Sequence, residues 1–261
     1  MIDLQRPRDV GELLTVAFTV FGRRWHVFLA MTFVVVCPAT VLLDGVWGRT
    51  LADGVDARPP LEQQIASGLI NAVIVSALVT GLHCIVVAGL AAGTRVTLGS
   101  AFRDVAPRSL AAMATAGVFV LGVIGGLALL VVPGLWLAIR WYFGIQAAVL
   151  ERRGPWESLE RSGDLVAGSW WRVAGLLFLI SFVASGIVSP LLGLGAFGDG
   201  VVYTGMLVVF NTVTMSLTAI FGTLLFFDLR ARRDAGPAAE WVAREARHEW
   251  LPPQPPRVPG A

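Results

Sequence analysis

Arg140 is the residue whose chemistry most needs an explanation, because it lies inside a long apolar run. Its neighbours include Trp136, Trp141 and Tyr142. A charged side chain at the bilayer centre costs about 2.5–3.5 kcal/mol on insertion scales, so Arg140 should face a bundle interior or a wet cavity, or extend toward the membrane surface. Two interpretations remain open: a site for an anion or headgroup, or a structural contact hydrogen-bonded to neighbouring helices and stacked on Trp136.

Further polar residues lie in apolar runs at helical spacing. Asn211, Thr214 and Thr218 fall on one face of a helix, and Gln146 and His83 lie in other apolar segments. Polar side chains between membrane helices commonly stabilise packing by about 0.6–2 kcal/mol each. Convergence of Arg140, Gln146 and Asn211 on one cavity would instead indicate a permeation or ligand path. The candidate ligand-binding set is therefore Arg140, Gln146, Asn211, Thr214 and Thr218.

No set of residues has the spacing of a catalytic or metal site. The sequence contains no G-x-S-x-G, H-E-x-x-H, Walker or G-x-G-x-x-G motif. Cys37 and Cys84 lie in apolar runs without zinc-ligand spacing and are interpreted as buried apolar residues. The acidic residues around Arg161 alternate with basic charge, as on a solvated helix face. We therefore expect no catalytic residues, no metal and no cofactor, and a protein that is not an enzyme.

Composition indicates the elements that must position these residues. Of 261 residues, 56% are hydrophobic and 15% charged, with a mean hydropathy of +0.72. Soluble domains carry about 25% charged residues. Solid apolar runs such as 27–36 and 173–180 lack the alternation of barrel strands and favour membrane-spanning helices. The sequence predicts an all-α, polytopic integral membrane protein.

The apolar runs divide into six predicted spans within a membrane domain at 1–234. Residues 9–25 predict an amphipathic helix on the membrane surface, or alternatively an extension of the first span, and further surface helices are expected near 99–108 and 155–171. Residues 235–261 predict a cytoplasmic polar helix and a Pro-rich disordered tail. The spans are about 26–46, 65–94, 109–130, 135–150, 173–194 and 201–227.

Arginine placement predicts the orientation. All twenty basic residues are Arg. They concentrate in the N-terminal arm, in the connectors after spans two and four, and after span six, so both termini are expected to be cytoplasmic. Abundant Ala, Gly, Val, Leu and Arg without Lys indicate a high-GC bacterial genome, and hence the bacterial plasma membrane. No basic patch typical of nucleic-acid binding is evident.

Three stretches resemble a known bacterial family, the glycerophosphoryl diester phosphodiesterase membrane domain. They are RPRDVGELLTVAFTVFGRRWHVF at 6–28, PGLWLAIRWYFGIQAAVLERRGPWESLERSGDLVAGSWWRVAG at 133–175, and TLLFFDLRARRD at 223–234. The resemblance covers about Arg6–Asp234 and implies a six-span domain. The enzyme domain of such relatives brings a His-Arg start and metal-binding carboxylates. His26, His83 and His248 are not followed by Arg, so the resemblance implies no activity.

Two functions are compatible with these features. The first is a non-enzymatic scaffold or partner-binding subunit whose cytoplasmic surface helices and tail recruit proteins. The alternative is a transporter or lipid-handling protein that uses Arg140 and the polar stripe of span six. Transport predicts that Arg140 faces a water-accessible cavity, and a scaffold predicts that it is packed. The expected partners are the lipid bilayer and cytoplasmic proteins, without nucleic acid; the sequence leaves the oligomeric state open.

Overall fold

Every regular element of the chain is a helix in the computed structural model, which describes residues 9–94 and 96–234. The predicted tail at 235–261 and the arginines before residue 9 therefore lie outside the described residues. The α-helices are α1 (Val10–Thr40), α2 (Thr50–Asp53), α3 (Leu61–Ile70), α4 (Ser76–Ala91), α5 (Leu98–Leu129), α6 (Val131–Arg140), α7 (Gly144–Leu150), α8 (Pro155–Val166), α9 (Trp170–Gly195) and α10 (Gly200–Asp234). Two π-helical segments, Val41–Trp47 and Asn71–Val75, continue α1 and join α3 to α4.

Five helical segments among the described residues are long and apolar enough to cross a membrane. The shortest has 26 residues, and at about 1.5 Å per residue each exceeds the roughly 30 Å of bilayer hydrocarbon. This agrees with a multi-pass membrane protein in a lipid bilayer. The segments are Val10–Trp47, Leu61–Ala91, Leu98–Leu129, Trp170–Gly195 and Gly200–Arg233.

The predicted span at 135–150 is not one continuous helix. It consists of α6, with 10 residues, and α7, with 7 residues, joined by a turn at residues 141–143. The hydroxyl of Ser162 on α8 donates to the carbonyl of Arg140 at 2.8 Å and accepts from the N–H of Phe143 at 3.0 Å. These bonds satisfy backbone groups that the break frees from helical hydrogen bonding.

The predicted surface helices merge with their spans at two places. Residues 9–25 continue into the first span as α1, with a kink at Arg24, where φ is −137° and ψ is 27°. The connector near 99–108 and the third span form the single helix α5, which Thr97 caps by accepting a hydrogen bond from the N–H of Ser100 at 3.3 Å.

The third and fourth predicted spans are separated at Leu130. Leu130 is extended, with φ of −161°, and α6 begins at the next residue. Pro133 therefore occupies the first turn of α6, where a missing N–H leaves no helical bond unmade.

Packing centres on α10, which contacts α1, α9 and α4 along its length. The largest buried cluster joins these helices around Phe28, Leu82, Phe221 and Leu224, which are fully buried. Outward-facing residues such as Phe178 on α9 are 74% exposed. Exposed apolar side chains along helices of spanning length fit contact with lipid chains.

Candidate functional site: a cavity between the membrane helices

A cavity of about 300 Å³ lies among the helices. Its lining comes from the start of α4 and the π-helical segment before it, from the middle parts of α5 and α10, from the break between α6 and α7 and the start of α7, and from Leu159 of α8. The volume is at the lower end of the range of about 300–1,000 Å³ found for small-molecule sites. The lining residues that carry a polar group are Ser76, Thr80, Thr115, Trp141, Tyr142, Gln146, Thr214 and Thr218.

Small residues allow the elements around the cavity to approach closely. A Cβ atom at Gly144 would lie 2.7 Å from Cδ2 of Leu159 and 3.0 Å from Cγ2 of Thr115. A Cβ atom at Gly222 on α10 would lie 3.3 Å from Nε2 of Gln146. The two glycines therefore let α7 pack between α5, α8 and α10 and bring Gln146 against α10.

Gln146 presents a buried acceptor without a partner. Its side chain is 3% exposed, and its Oε1 atom accepts no hydrogen bond from the residues that the structure describes. A buried polar atom without a partner loses its hydration, at a cost of about 1–3 kcal/mol. Most buried polar groups are satisfied, so an unsatisfied one calls for an explanation, such as a bound molecule.

Thr214 shows the same feature on the opposite side of the lining. Its Oγ1 atom has no partner within residues 9–94 and 96–234. Thr218 and Thr223, on the same helix, donate to the carbonyl four residues earlier, at 2.8 and 2.7 Å. This local bond is the usual way for a threonine within a membrane helix to satisfy its hydroxyl. The Thr214 hydroxyl is therefore available to a ligand.

The electrostatics of the cavity favour a neutral molecule. Among the described residues, no Asp, Glu, Arg or His lines the cavity, and most of this lining is apolar. An ion there would have no counter-charge and would incur the full penalty of a charge in a low-dielectric site. The lining can hold a neutral polar group by hydrogen bonds and an apolar body by packing. Among the described residues, no three His, Cys, Asp or Glu side chains are grouped to hold a metal ion.

Arg140 lies outside the lining of this cavity. Its guanidinium carbon is 4.9 Å from the centre of the Trp136 ring, in cation–π geometry. A Cβ atom at Gly163 of α8 would lie only 2.9 Å from Nε of Arg140. The half-buried side chain is therefore packed between its own helix and α8. This position corresponds to the structural interpretation of Arg140 and not to a cavity contact.

Asn211 is also separate from the cavity. Its Nδ2 atom donates to Oγ1 of Thr40 at 3.4 Å and so links α10 to α1. Of the five candidate residues, Gln146, Thr214 and Thr218 converge on one cavity, and Arg140 and Asn211 contact other parts of the protein.

Other polar residues of the spans form structural contacts. The His83 ring is fully buried and stacks on Phe28, with ring centres 5.4 Å apart. Its Nδ1 lies 2.8 Å from the carbonyl of Val79, and its Nε2 lies 3.0 Å from Oγ of Ser216. These bonds join α1, α4 and α10 and leave no ring nitrogen for catalysis.

Several lining residues were not among the sequence candidates. Ser76 and Thr80 are one helical turn apart on α4, and Thr115 lies on α5. Ser76 and Thr115 donate to the carbonyl four residues earlier, at 2.6 and 2.8 Å. Ser76, Thr80 and Thr115 are polar residues within apolar runs. The same sequence pattern identified Asn211, Thr214 and Thr218 as candidates.

Comparison of the chain with known protein families, with curated proteins and with solved structures gives no match.

Proposed function

We propose that this chain is a non-enzymatic, multi-pass membrane protein that binds a neutral amphipathic molecule taken from the bilayer. The observation that carries this proposal is the pair of unpartnered atoms, Gln146 Oε1 and Thr214 Oγ1, in a mostly apolar cavity at mid-height of the long helices. It corresponds to the lipid-handling function considered from the sequence, with Gln146 in place of Arg140 as the main polar contact.

The expected ligand carries one hydrogen-bond donor, such as a hydroxyl or amide, and a short apolar body. The donor would bond to Gln146 Oε1, and an acceptor on the same group could receive the hydroxyl of Thr214. The cavity volume of about 300 Å³ equals roughly ten times the liquid volume of one water molecule. Such a space suits a chain of about ten heavy atoms or one segment of a longer lipid.

The proposal includes six membrane crossings, of which α6 and α7 together form the fourth. Support comes from the arginines, because Arg23 and Arg24 at the kink of α1, just before the predicted first span, and Arg230, Arg232 and Arg233 at the end of α10 fit the cytoplasmic side. A bacterial plasma membrane location with both termini cytoplasmic follows from the same distribution. The resemblance to the glycerophosphoryl diester phosphodiesterase membrane domain is part of this proposal, as a six-span fold without the enzyme.

Partner recruitment through the cytoplasmic helices is the second candidate. It has less support, because the apolar face of α8 packs inside the protein. Leu159, Leu165 and Val166 are at most 2% exposed. The polar face of α8 remains accessible, with Trp156 donating to Glu160 at 2.7 Å. A recruited protein would therefore have to recognise this polar face.

Photo-crosslinking tests the ligand proposal. The full chain in lipid nanodiscs would be irradiated with a diazirine derivative of a straight-chain alcohol of about ten carbons, the length set by the cavity volume. Crosslinks should map to α4, α5, α7 and α10 at the lining. An excess of unlabelled alcohol should compete better than the corresponding carboxylic acid, because the lining holds no cation.

Three variants distinguish binding in the cavity from labelling of the protein surface that faces lipid. Ala116→Leu fills the cavity from α5 and should abolish these crosslinks. Leu121→Phe, at a position that is 72% exposed on the same helix, should leave them unchanged. Thr214→Val keeps the side-chain shape and should weaken competition by the alcohol. Equal labelling of all variants would show that the alcohol only dissolves in the surrounding lipid, and the proposal would fail.

A further inference from the structure

Arg140 is a cation for which the described part of the chain supplies no acceptor. The guanidinium stacks on the ring of Trp136, as expected of a structural contact, but the hydrogen bonds to neighbouring helices are missing. Within residues 9–94 and 96–234 it forms neither a hydrogen bond nor an ion pair. Its five N–H donors are therefore available. Charged side chains within membrane helices are almost always paired, so this one calls for a partner from outside the chain.

Contacts with α8 fix the position of this guanidinium without occupying its donors. The hydroxyl of Ser162 donates to the backbone carbonyl of Arg140, so the end of α6 is held against α8. A Cβ atom at Gly163 would lie 2.9 Å from Nε and 3.1 Å from Nη2 of Arg140, so the glycine leaves the space that the guanidinium fills. The side chain is half-buried and its nitrogen atoms are not fully enclosed, so an outside molecule can reach them. Donors that are already held in place lose less freedom when they bind.

The two faces of α8 indicate where the guanidinium lies relative to the membrane. The buried face includes Ser162 and Gly163, which contact Arg140. The exposed face carries three acidic residues at helical spacing: Glu157, Glu160 and Asp164. A helix with one buried and one charged face is typical of the boundary between a membrane domain and water. Arg140 packs beneath such a helix and therefore lies close to this boundary.

Tryptophan side chains extend from Arg140 in a connected series. Nε1 of Trp170 donates to the carbonyl of Trp136 at 3.4 Å, and the ring of Trp170 packs edge-on against Trp171, with ring centres 4.7 Å apart. Trp136 and Trp171 are 45% and 83% exposed. Tryptophan side chains favour the headgroup layer of a bilayer. An accessible guanidinium next to these rings therefore lies near the phosphate groups of the surrounding lipids.

We infer that Arg140 binds a phosphate group, with Trp136 and the surface at Gly163 holding the guanidinium in position. A planar guanidinium binds two phosphate oxygens at once through paired N–H donors. Asp164, which follows Gly163, forms no ion pair with Arg140 among the described residues and so leaves these donors accessible. The phosphate can come from a phospholipid headgroup or from a soluble phosphate. This site is separate from the cavity and goes beyond the proposed function.

Native mass spectrometry of the full chain in detergent tests the site by titration with phosphatidylglycerol. Diacylglycerol with the same acyl chains is the comparison, because it lacks the phosphate, and the unaltered protein should bind it more weakly. Arg140→Gln should weaken phosphatidylglycerol binding about ten-fold, since it removes the charged donors, and should leave diacylglycerol binding unchanged. Arg103→Gln is the matched control, because it removes the same charge from an exposed position on α5. Its phosphatidylglycerol binding should equal that of the unaltered protein.

Two further arms complete the test. Inorganic phosphate that displaces phosphatidylglycerol would show that a soluble phosphate is sufficient, and failure to displace it would assign the site to the lipid. Arg140→Lys keeps the charge without the paired donors and should lose less affinity than Arg140→Gln. Equal affinities of Arg140→Gln and its control would overturn the assignment. Equal binding of the two lipids by the unaltered protein would also overturn it, and this comparison requires no variant to fold.

Discussion

Replacing Gln146 by Met should stabilise the ligand-free protein while removing ligand binding. Gln146 is 3% exposed, and its Oε1 has no partner among the described residues. Met has a similar length and a flexible apolar chain, so it can fill the same space. The substitution removes an unsatisfied acceptor without leaving a void. If Gln146 instead stabilised the ligand-free fold, Gln146→Met would lower the free energy of unfolding.

The magnitude follows from the environment of the amide. Leaving a buried acceptor unsatisfied costs about 1–3 kcal/mol relative to a hydrated state. In a micelle or bilayer, the unfolded chain also has few water partners, and measured hydrogen bonds between membrane helices average about 0.6 kcal/mol. We therefore expect Gln146→Met to raise the free energy of unfolding by about 0.5–1.5 kcal/mol.

Reversible unfolding in mixed detergent micelles measures this difference. Asn211→Leu is the control, because Asn211 is a polar residue of the same bundle whose Nδ2 donates to Thr40. It should lower the free energy of unfolding by about 0.5–1.5 kcal/mol, since it breaks a bond and strands a hydroxyl. A loss of more than about 1 kcal/mol in Gln146→Met would show that the amide is satisfied in the folded protein, and the cavity proposal would lose its basis.

Four other substitutions test structural contacts by the same unfolding measurement. Gly163→Ala should cost at most about 1 kcal/mol, because the new Cβ atom overlaps only the end of the flexible Arg140 side chain, and this cost should disappear in an Arg140→Ala background; equal losses in both backgrounds would contradict that contact. His83→Ala should cost about 3 kcal/mol, and Ser216→Ala only about 1 kcal/mol, because the first leaves a void and an unpaired hydroxyl. Asp228→Ala should cost about 3–5 kcal/mol, because the fully buried carboxylate pairs with arginines, and a loss below 1 kcal/mol would contradict this.

The helical class and most helix positions could be predicted from hydropathy. Solid apolar runs impose helices in lipid whatever their detailed packing, so the fifth predicted span, 173–194, falls within α9. The points where predicted surface helices end and spans begin were harder to predict from the sequence. An amphipathic segment and the apolar run after it share the same helical period, and only tertiary contacts decide whether a break separates them, as for α5.

The break inside the fourth predicted span left no clear signal in the sequence. Residues 141–143 are Trp, Tyr and Phe, which contain no helix-breaking residue. The break depends on Ser162, nineteen residues after Phe143, whose hydroxyl bonds to both sides of it. Hydrophobic periodicity reflects only residues close in sequence, so it cannot predict hydrogen bonds from a residue this far along the chain.

The candidate site was predictable in part. Gln146, Thr214 and Thr218 were identifiable because a polar residue in an apolar run is rare and needs a reason. Arg140 attracted attention on the same grounds, but its length lets the guanidinium reach Trp136 and α8, away from the cavity. The charged group of a long side chain can lie far from its own Cα atom, so its position in the sequence does not show where the charge is. The hydroxyl group of a short side chain stays close to the helix position of its residue.

The helix break and the cavity have a common physical origin. Irregular backbone at membrane depth is tolerated only where the protein buries it or where it lines a cavity. Here the N–H of Trp141 donates to Leu137 at 2.9 Å, and the N–H of Gly144 donates to Trp141 at 3.0 Å. Ser162 bonds to backbone groups on both sides of the turn, and α7 begins after it as a separate helix. Gln146 of α7 lies against Gly222 of α10 and beside the cavity. Gln146, Thr214 and Thr218 therefore lie around a cavity that this interruption helps to line.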